Sequence, residues 1–191
     1  MSSNAEIRAA AREALRGQWG MAVLVTFVYL AIFTAISMIP VVNNIAPLLL
    51  GGAFAYGLYA YFLQVSRGNR PELGVMFVGF RRYGTTLALY LLTTLFVLLW
   101  TLLLIVPGII AGLRYSMAYF VLLEHPGMSA LDAIRRSKEL MDGHKMQLFL
   151  LQLSFIGWAL LCVLTLGIGF LWLAPYMQTS MAAFYERLKD A

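Results

Sequence analysis

Acidic residues and histidines are missing from every long apolar stretch of this chain. Six stretches stand out, Met21 to Ile39, Leu48 to Val65, Thr85 to Val106, Ile109 to Leu123, Met146 to Leu166 and Ile168 to Phe184, and none contains Asp, Glu or His. That absence removes paired carboxylates for acid–base work and the HExxH zinc helix from the apolar interior. Charge is scarce everywhere: 12% of residues are charged and 61% hydrophobic, whereas soluble domains carry roughly a quarter charged residues. The composition is that of a membrane protein. The single cysteine, Cys162, leaves no disulfide to form and, inside the fifth stretch, reads as a small packed apolar group. A cleavable leader is not expected either, because the first stretch begins only at Met21, after a largely polar segment.

What is present is length and a lopsided charge distribution. Each stretch approaches the ~20 helical residues that cross a bilayer core. The fourth is the shortest, and its crossing is kept because the next charged segment would otherwise fall on the wrong side. Arg8, Arg12 and Arg16 precede the first stretch, and Arg67, Arg70, Arg81 and Arg82 lie between the second and third. Arg135, Arg136, Lys138 and Lys145 lie between the fourth and fifth; Arg187 and Lys189 follow the sixth. The alternate connections, around Asn43-Asn44, Pro107-Gly108 and Gly167-Gly169, are uncharged, and all nine acidic residues share the basic side. Short cytoplasmic loops hold the Lys and Arg excess, so both termini are expected in the cytoplasm. The expected fold is an all-α membrane protein of six transmembrane helices, arranged as three hairpins, each with an amphipathic cytoplasmic lead-in helix.

The chain, one domain over 1–191, also repeats itself, in units 5–64, 70–123 and 129–188. The lead-ins end in "RGQWGMAVLV", "FRRYGTTLAL" and "MDGHKMQLFL", which align Trp19, Tyr83 and Lys145. The returning stretches align Tyr56, Tyr115 and Tyr176. In the first lead-in Arg8, Arg12 and Arg16 recur every four residues on one helical ridge, beside an apolar ridge of Ile7, Ala11 and Leu15. In the third, Ser129 and Asp132 have capping-box spacing, and Arg135, Arg136 and Lys138 are placed to reach anionic headgroups.

Arg114 is the one charge out of place, seven residues beyond Pro107 in the fourth stretch. A long guanidinium stem covers most of that distance to the outer interface, so an outward-snorkelling anchor is the plain reading. The sharper one is a ligand or anionic-lipid site lined by Tyr115 or Gln178, with Gln152 as a further intramembrane polar candidate. Catalytic motifs are weak. Gly127-Met-Ser129 lacks the second glycine of a nucleophile elbow, His125 and His144 match no metal-ligand spacing, and "LGIGF" has no following Lys to make a phosphate loop. No metal, cofactor, nucleic acid or enzymatic activity is expected.

The segments "REALRGQWGMAVLVTFVYL", "VPGIIAGLRYSMAYFVLLEHP", "SALDAIRRSKELMDGHKMQLFLLQLSFIGW" and "LGIGFLWLAPYMQTSMAAFYERL" resemble a bacterial integral membrane family, the domain of unknown function 975. The resemblance covers nearly the whole chain and implies six helices in the bacterial cytoplasmic membrane. It supplies no active site, and "EHP" stands where members tend to have an Asp-Asn-Pro-like sequence. The functional expectation is therefore a non-enzymatic module that binds membrane phospholipid, anionic on the cytoplasmic side, or a membrane-protein partner or second copy. A small transporter or channel is the alternative.

Overall fold

The computed structural model describes residues 3–39 and 42–189, the side chains of 42–44 excepted, so the polar turn expected at Asn43-Asn44 lies outside the described side chains. Among the described residues there are helices and no strands. In chain order they are α1 (Asn4–Leu15), α2 (Trp19–Ser37), α3 (Val42–Ser66), a 3-10 segment (Leu73–Arg82), α4 (Tyr83–Leu103) and α5 (Ile105–Tyr115). There follow α6 (Ala118–Glu124), α7 (Ala130–Leu140), α8 (Lys145–Leu153), α9 (Ile156–Leu164) and α10 (Phe170–Lys189).

The first and third lead-ins start and stop by the same local chemistry. The Ser3 hydroxyl accepts the Glu6 amide at 3.3 Å while the Glu6 carboxylate accepts the Ser3 amide at 3.0 Å, which closes two of the free donors at the start of α1. Ser129 caps α7 by accepting the Asp132 amide at 3.2 Å. Both helices give way to glycine in the left-handed region, Gly17 and Gly143, each with φ of 78°. Two residues later the next helix begins, because glycine adopts this turn without a Cβ penalty.

The middle lead-in is different. Its ten residues form a 3-10 segment laid directly on α3. A Cβ added at Gly57 would sit 1.8 Å from the Met76 carbonyl oxygen, and one at Gly79 would sit 2.0 Å from that of Ala53. Only glycine permits this backbone-to-backbone approach.

Five helical stretches are long and apolar enough to cross a membrane: Trp19–Ser37, Ile45–Ser66, Leu73–Leu103, Ile105–Glu124 and Lys145–Leu164. The fourth is longer than expected because Pro107 lies in the first turn of α5, where its missing N–H costs nothing. It breaks at Ser116-Met117, and the fifth breaks at Ser154-Phe155. The sixth expected stretch falls in α10. The helix that begins at Phe170 is not among the five, because Gln178, Thr179 and Ser180 interrupt it and Glu186, Arg187 and Lys189 end it. Its C-terminal half is enclosed by protein: Thr179 and Ser180 are fully buried, bonded back to the Pro175 and Tyr176 carbonyls at 2.8 Å.

Burial is concentrated where the lead-ins lie. Ile7, Ala11 and Leu15 are completely buried, so the apolar ridge of α1 is spent on protein. It meets α10, while the 3-10 segment meets α3 and α7 meets α5 and α6. None of the three lead-ins therefore packs chiefly on the helix that directly follows it. Phe120 anchors this core, stacked on Tyr185 at 5.0 Å and edge-on to Tyr59 at 4.8 Å.

Candidate functional site

The ends of three returning helices meet in one ion network. Arg67, just past α3, reaches both Glu124 at the end of α6 and Glu186 near the end of α10; its Nη2 donates to the Glu186 carboxylate at 2.7 Å. Lys189 donates to Glu124 at 2.8 Å and the Tyr185 hydroxyl donates to its other oxygen at 2.9 Å. Burial works against the Arg67 charge, but the Glu186 and Glu124 carboxylates outweigh it and hold the guanidinium above its ordinary value. Hydrogen bonding to Glu124 likewise raises Lys189.

The three aligned tyrosines each meet a cation from the lead-in lying on their helix. Lys138 Nζ stands 5.4 Å from the centre of the Tyr115 ring. Arg82 lies within electrostatic reach of Tyr56. Arg12 and Arg8 lie within reach of Tyr176, whose hydroxyl donates to the Arg8 carbonyl at 3.4 Å.

Arg114 is half-buried, and its Nε is enclosed without a hydrogen-bond partner. Its charge acts on Asp142, in the turn after α7, whose carboxyl is held below its usual range chiefly by a 3.0 Å bond from Lys145. The Arg114 carbonyl accepts from Ser137 of α7 at 2.7 Å. The residue thus belongs to the charged end of the molecule, beside the third lead-in, and not to the uncharged end toward which its stem was expected to lean. Tyr115 lines a groove of about 430 Å³ with Tyr59, Tyr119, Thr94 and Thr101. Gln152 and Gln178 share a different cavity of about 310 Å³, where Tyr59 forms a common wall.

The basic surface residues divide sharply. Arg16 pairs with Glu13 at 3.6 Å, Arg135 with Asp132 at 3.4 Å and Arg136 with Glu139 at 3.0 Å, each within its own helix. Lys138 is engaged on Tyr115. Arg8 and Arg12 have no ion pair among the described residues; Glu6, the acid nearest them on the other side, is taken by Arg187 at 3.7 Å. These two arginines border a cleft of about 640 Å³ between α1, α9 and α10, walled by Trp19, Trp158, Trp172 and Tyr176. Three of the four tryptophans thus gather at one place. The sequence signal was available, since Trp belongs at membrane interfaces, but the positions lie too far apart in the chain to be joined without the fold.

A family profile described as protein of unknown function (DUF975) matches residues 1–110 and 101–191. The chain is a DUF975 protein. The two matches together take in all of the elements above, with their overlap falling at the α4–α5 junction. No curated protein and no solved structure matches it. The family fixes neither a ligand nor a reaction, so the chemistry of this DUF975 chain is argued from its own side chains. Among the described residues no three of His, Cys, Asp and Glu gather closely enough to hold a metal ion.

Proposed function

We propose that this DUF975 chain is a non-enzymatic protein of the bacterial cytoplasmic membrane that binds anionic phospholipid at its cytoplasmic face. The observation that carries the reading is the pair Arg8 and Arg12, without an ion pair among the described residues and bordering an aromatic cleft whose lining holds no acidic residue, whereas Arg16, Arg135 and Arg136 are each paired within their own segment. Anionic headgroups are the abundant partner for such cations at a cytoplasmic leaflet. In this reading α10 is the sixth crossing, enclosed by its neighbours along its C-terminal half and open to lipid at Phe170 and Trp172. Its 20 residues rise about 30 Å, enough to span. Its charged end meets Arg67 and Glu124, which end two other returning helices, so all three return to the same side. The shared caps Ser3 and Ser129, and the shared turns at Gly17 and Gly143, support three hairpin units over 5–64, 70–123 and 129–188.

Purified from mild detergent, the protein should retain phosphatidylglycerol or cardiolipin in excess of their share of the source membrane. Retention in proportion to the membrane would reject the reading. Topology is tested separately, in a Cys162→Ala background. Ile168→Cys should react with an impermeant thiol reagent added outside intact cells and Asn69→Cys should not; Gly169 is avoided because its Cβ would stand 3.0 Å from Thr165 Oγ1 and 3.1 Å from the Cα at position 162. Transport is the second reading, favoured by the meeting of Gln152 and Gln178 with Tyr59 in one uncharged cavity. Saturable solute flux in liposomes, lost in Gln152→Leu, would establish it.

A further inference from the structure

The three places where a lead-in rests on a returning helix are closed to different degrees. Under α7, Ser137 accepts the Met117 amide at 3.2 Å and donates to the Arg114 carbonyl, and Lys138 covers Tyr115. Under the 3-10 segment, backbone touches backbone at Gly57 and Gly79, and the adjacent cleft holds Glu72 as well as Arg81. Under α1 the bonds come from α10 and sit to one side of the cleft: Tyr176 donates to the Arg8 carbonyl and Arg187 to that of Glu6, each at 3.4 Å. Counting from the caps, Ala11 stands where α7 has Ser137 and offers no side-chain hydrogen bond. Arg12 stands where α7 has Lys138, but it edges the open cleft of about 640 Å³ that contains no acidic wall residue.

We infer that this open junction is completed by a single anionic phospholipid, its phosphate on the Arg8 and Arg12 guanidiniums and an acyl chain along Trp158 and Trp172. The inference rests on the lipid-binding reading above and gives it a location and a stoichiometry. Guanidinium is the donor best matched to phosphate oxygens, because its planar fork offers paired N–H groups. A soluble anion would use the arginines and leave the wall unused: Trp158 and Trp172 are 56% and 52% exposed, so that wall continues into the apolar surface of the helices. An amphiphile uses both, and indole rings suit the boundary between headgroup and chain.

The test uses the full chain with Trp100→Phe, which leaves only the three cleft tryptophans as fluorophores. It is reconstituted in phosphatidylcholine nanodiscs with a trace of lipid brominated on its acyl chains, which quenches tryptophan on contact. Brominated phosphatidylglycerol should quench several-fold more than brominated phosphatidylcholine at equal mole fraction and saturate at one lipid per protein. Arg8→Gln with Arg12→Gln should weaken that preference by roughly tenfold or more, since each arginine near an anionic surface is worth about fivefold. Ala5→Leu, which fills the exposed rim from α1 without touching charge, should weaken it as well, and Arg135→Gln with Arg136→Gln should not. Unchanged melting temperature shows that the variants are folded. Preference retained in the Arg8/Arg12 variant would overturn this site while leaving lipid binding intact; no preference in any protein, with no anionic lipid retained on purification, would end both. Displacement by glycerol 3-phosphate at the concentration effective for the lipid would overturn the acyl-chain half of the inference.

Discussion

Leucine lives in two solvents in this molecule. At the end where the lead-ins lie, Leu15, Leu89, Leu122, Leu148 and Leu151 are completely enclosed by protein. At the other end, Leu102, Leu164 and Leu166 are 82%, 80% and 94% exposed, at turns without a single charge. The first group is stabilised as in any soluble core, by removal from water and by close contact. The second, on or just past stretches long and apolar enough to cross a membrane, would there meet acyl chains as apolar as the side chain itself, so that packing against protein contributes little. A single chain therefore builds a specific, jigsaw-like half and an unspecific, solvent-matched half, and the boundary between them passes through each spanning helix.

The comparison is broken most severely by substitutions in the enclosed half. Gly57→Val should abolish folded protein, because the side chain must displace the Met76 carbonyl and with it the whole 3-10 segment; size-exclusion chromatography of the solubilised protein would show aggregate only. Phe120→Ala should cost about 3–5 kcal/mol as a cavity in a tight core, read as a large fall in melting temperature in detergent, whereas Leu102→Ala should leave it nearly unchanged. Next comes Glu124→Gln, which removes the negative charge and one of the two acceptor oxygens that Arg67, Lys189 and Tyr185 divide between them. With its side chain only 16% exposed, the loss should be about 1.5–3 kcal/mol. The pH dependence follows the sign of the Lys189 shift. Its charged form is favoured in the folded state, so its contribution is complete through neutral pH and is lost as pH rises past the raised value, above the ordinary 10.5. A thermal-stability profile flat from neutrality to that range and falling beyond it is expected, and Glu124→Gln should flatten the fall. The smallest effect belongs to Arg136→Ala, which breaks an exposed pair worth about 0–0.5 kcal/mol.

How far each half was legible in the sequence follows the same division. Long apolar stretches are read directly, and those for α2, α3, α4, α5 with α6, and α8 with α9 were readable because a helix in hydrocarbon needs only length and hydropathy. The caps at Ser3 and Ser129 were legible for a similar reason, being decided within four residues. The burial of α10 was not. Its Thr179 and Ser180 look like interruptions in a span until the carbonyls and neighbours that satisfy and cover them are seen. Arg114 misled because helix geometry fixes which way a stem leans but not where a later segment will lie; α7 and the Asp142 turn come to it from the following unit. The Arg67, Glu124 and Glu186 network was invisible for the same reason, since its members are placed by three different helices.

The seating of α1 on α10 has a consequence for how the protein is made. α1 finds its partner only in α10, far later in the chain: Tyr176 reaches Arg8 across 168 residues and Arg187 reaches Glu6 across 181. At a synthesis rate of about 5–20 residues per second, α1 waits on the order of ten seconds or more before its buried face can be covered. Until then Ile7, Ala11 and Leu15 must be sheltered by the membrane surface or by a chaperone. A chain ending before Phe170 would lack the partner of this face, so the enclosure of Ile7 and Ala11 depends on the whole intervening length being made.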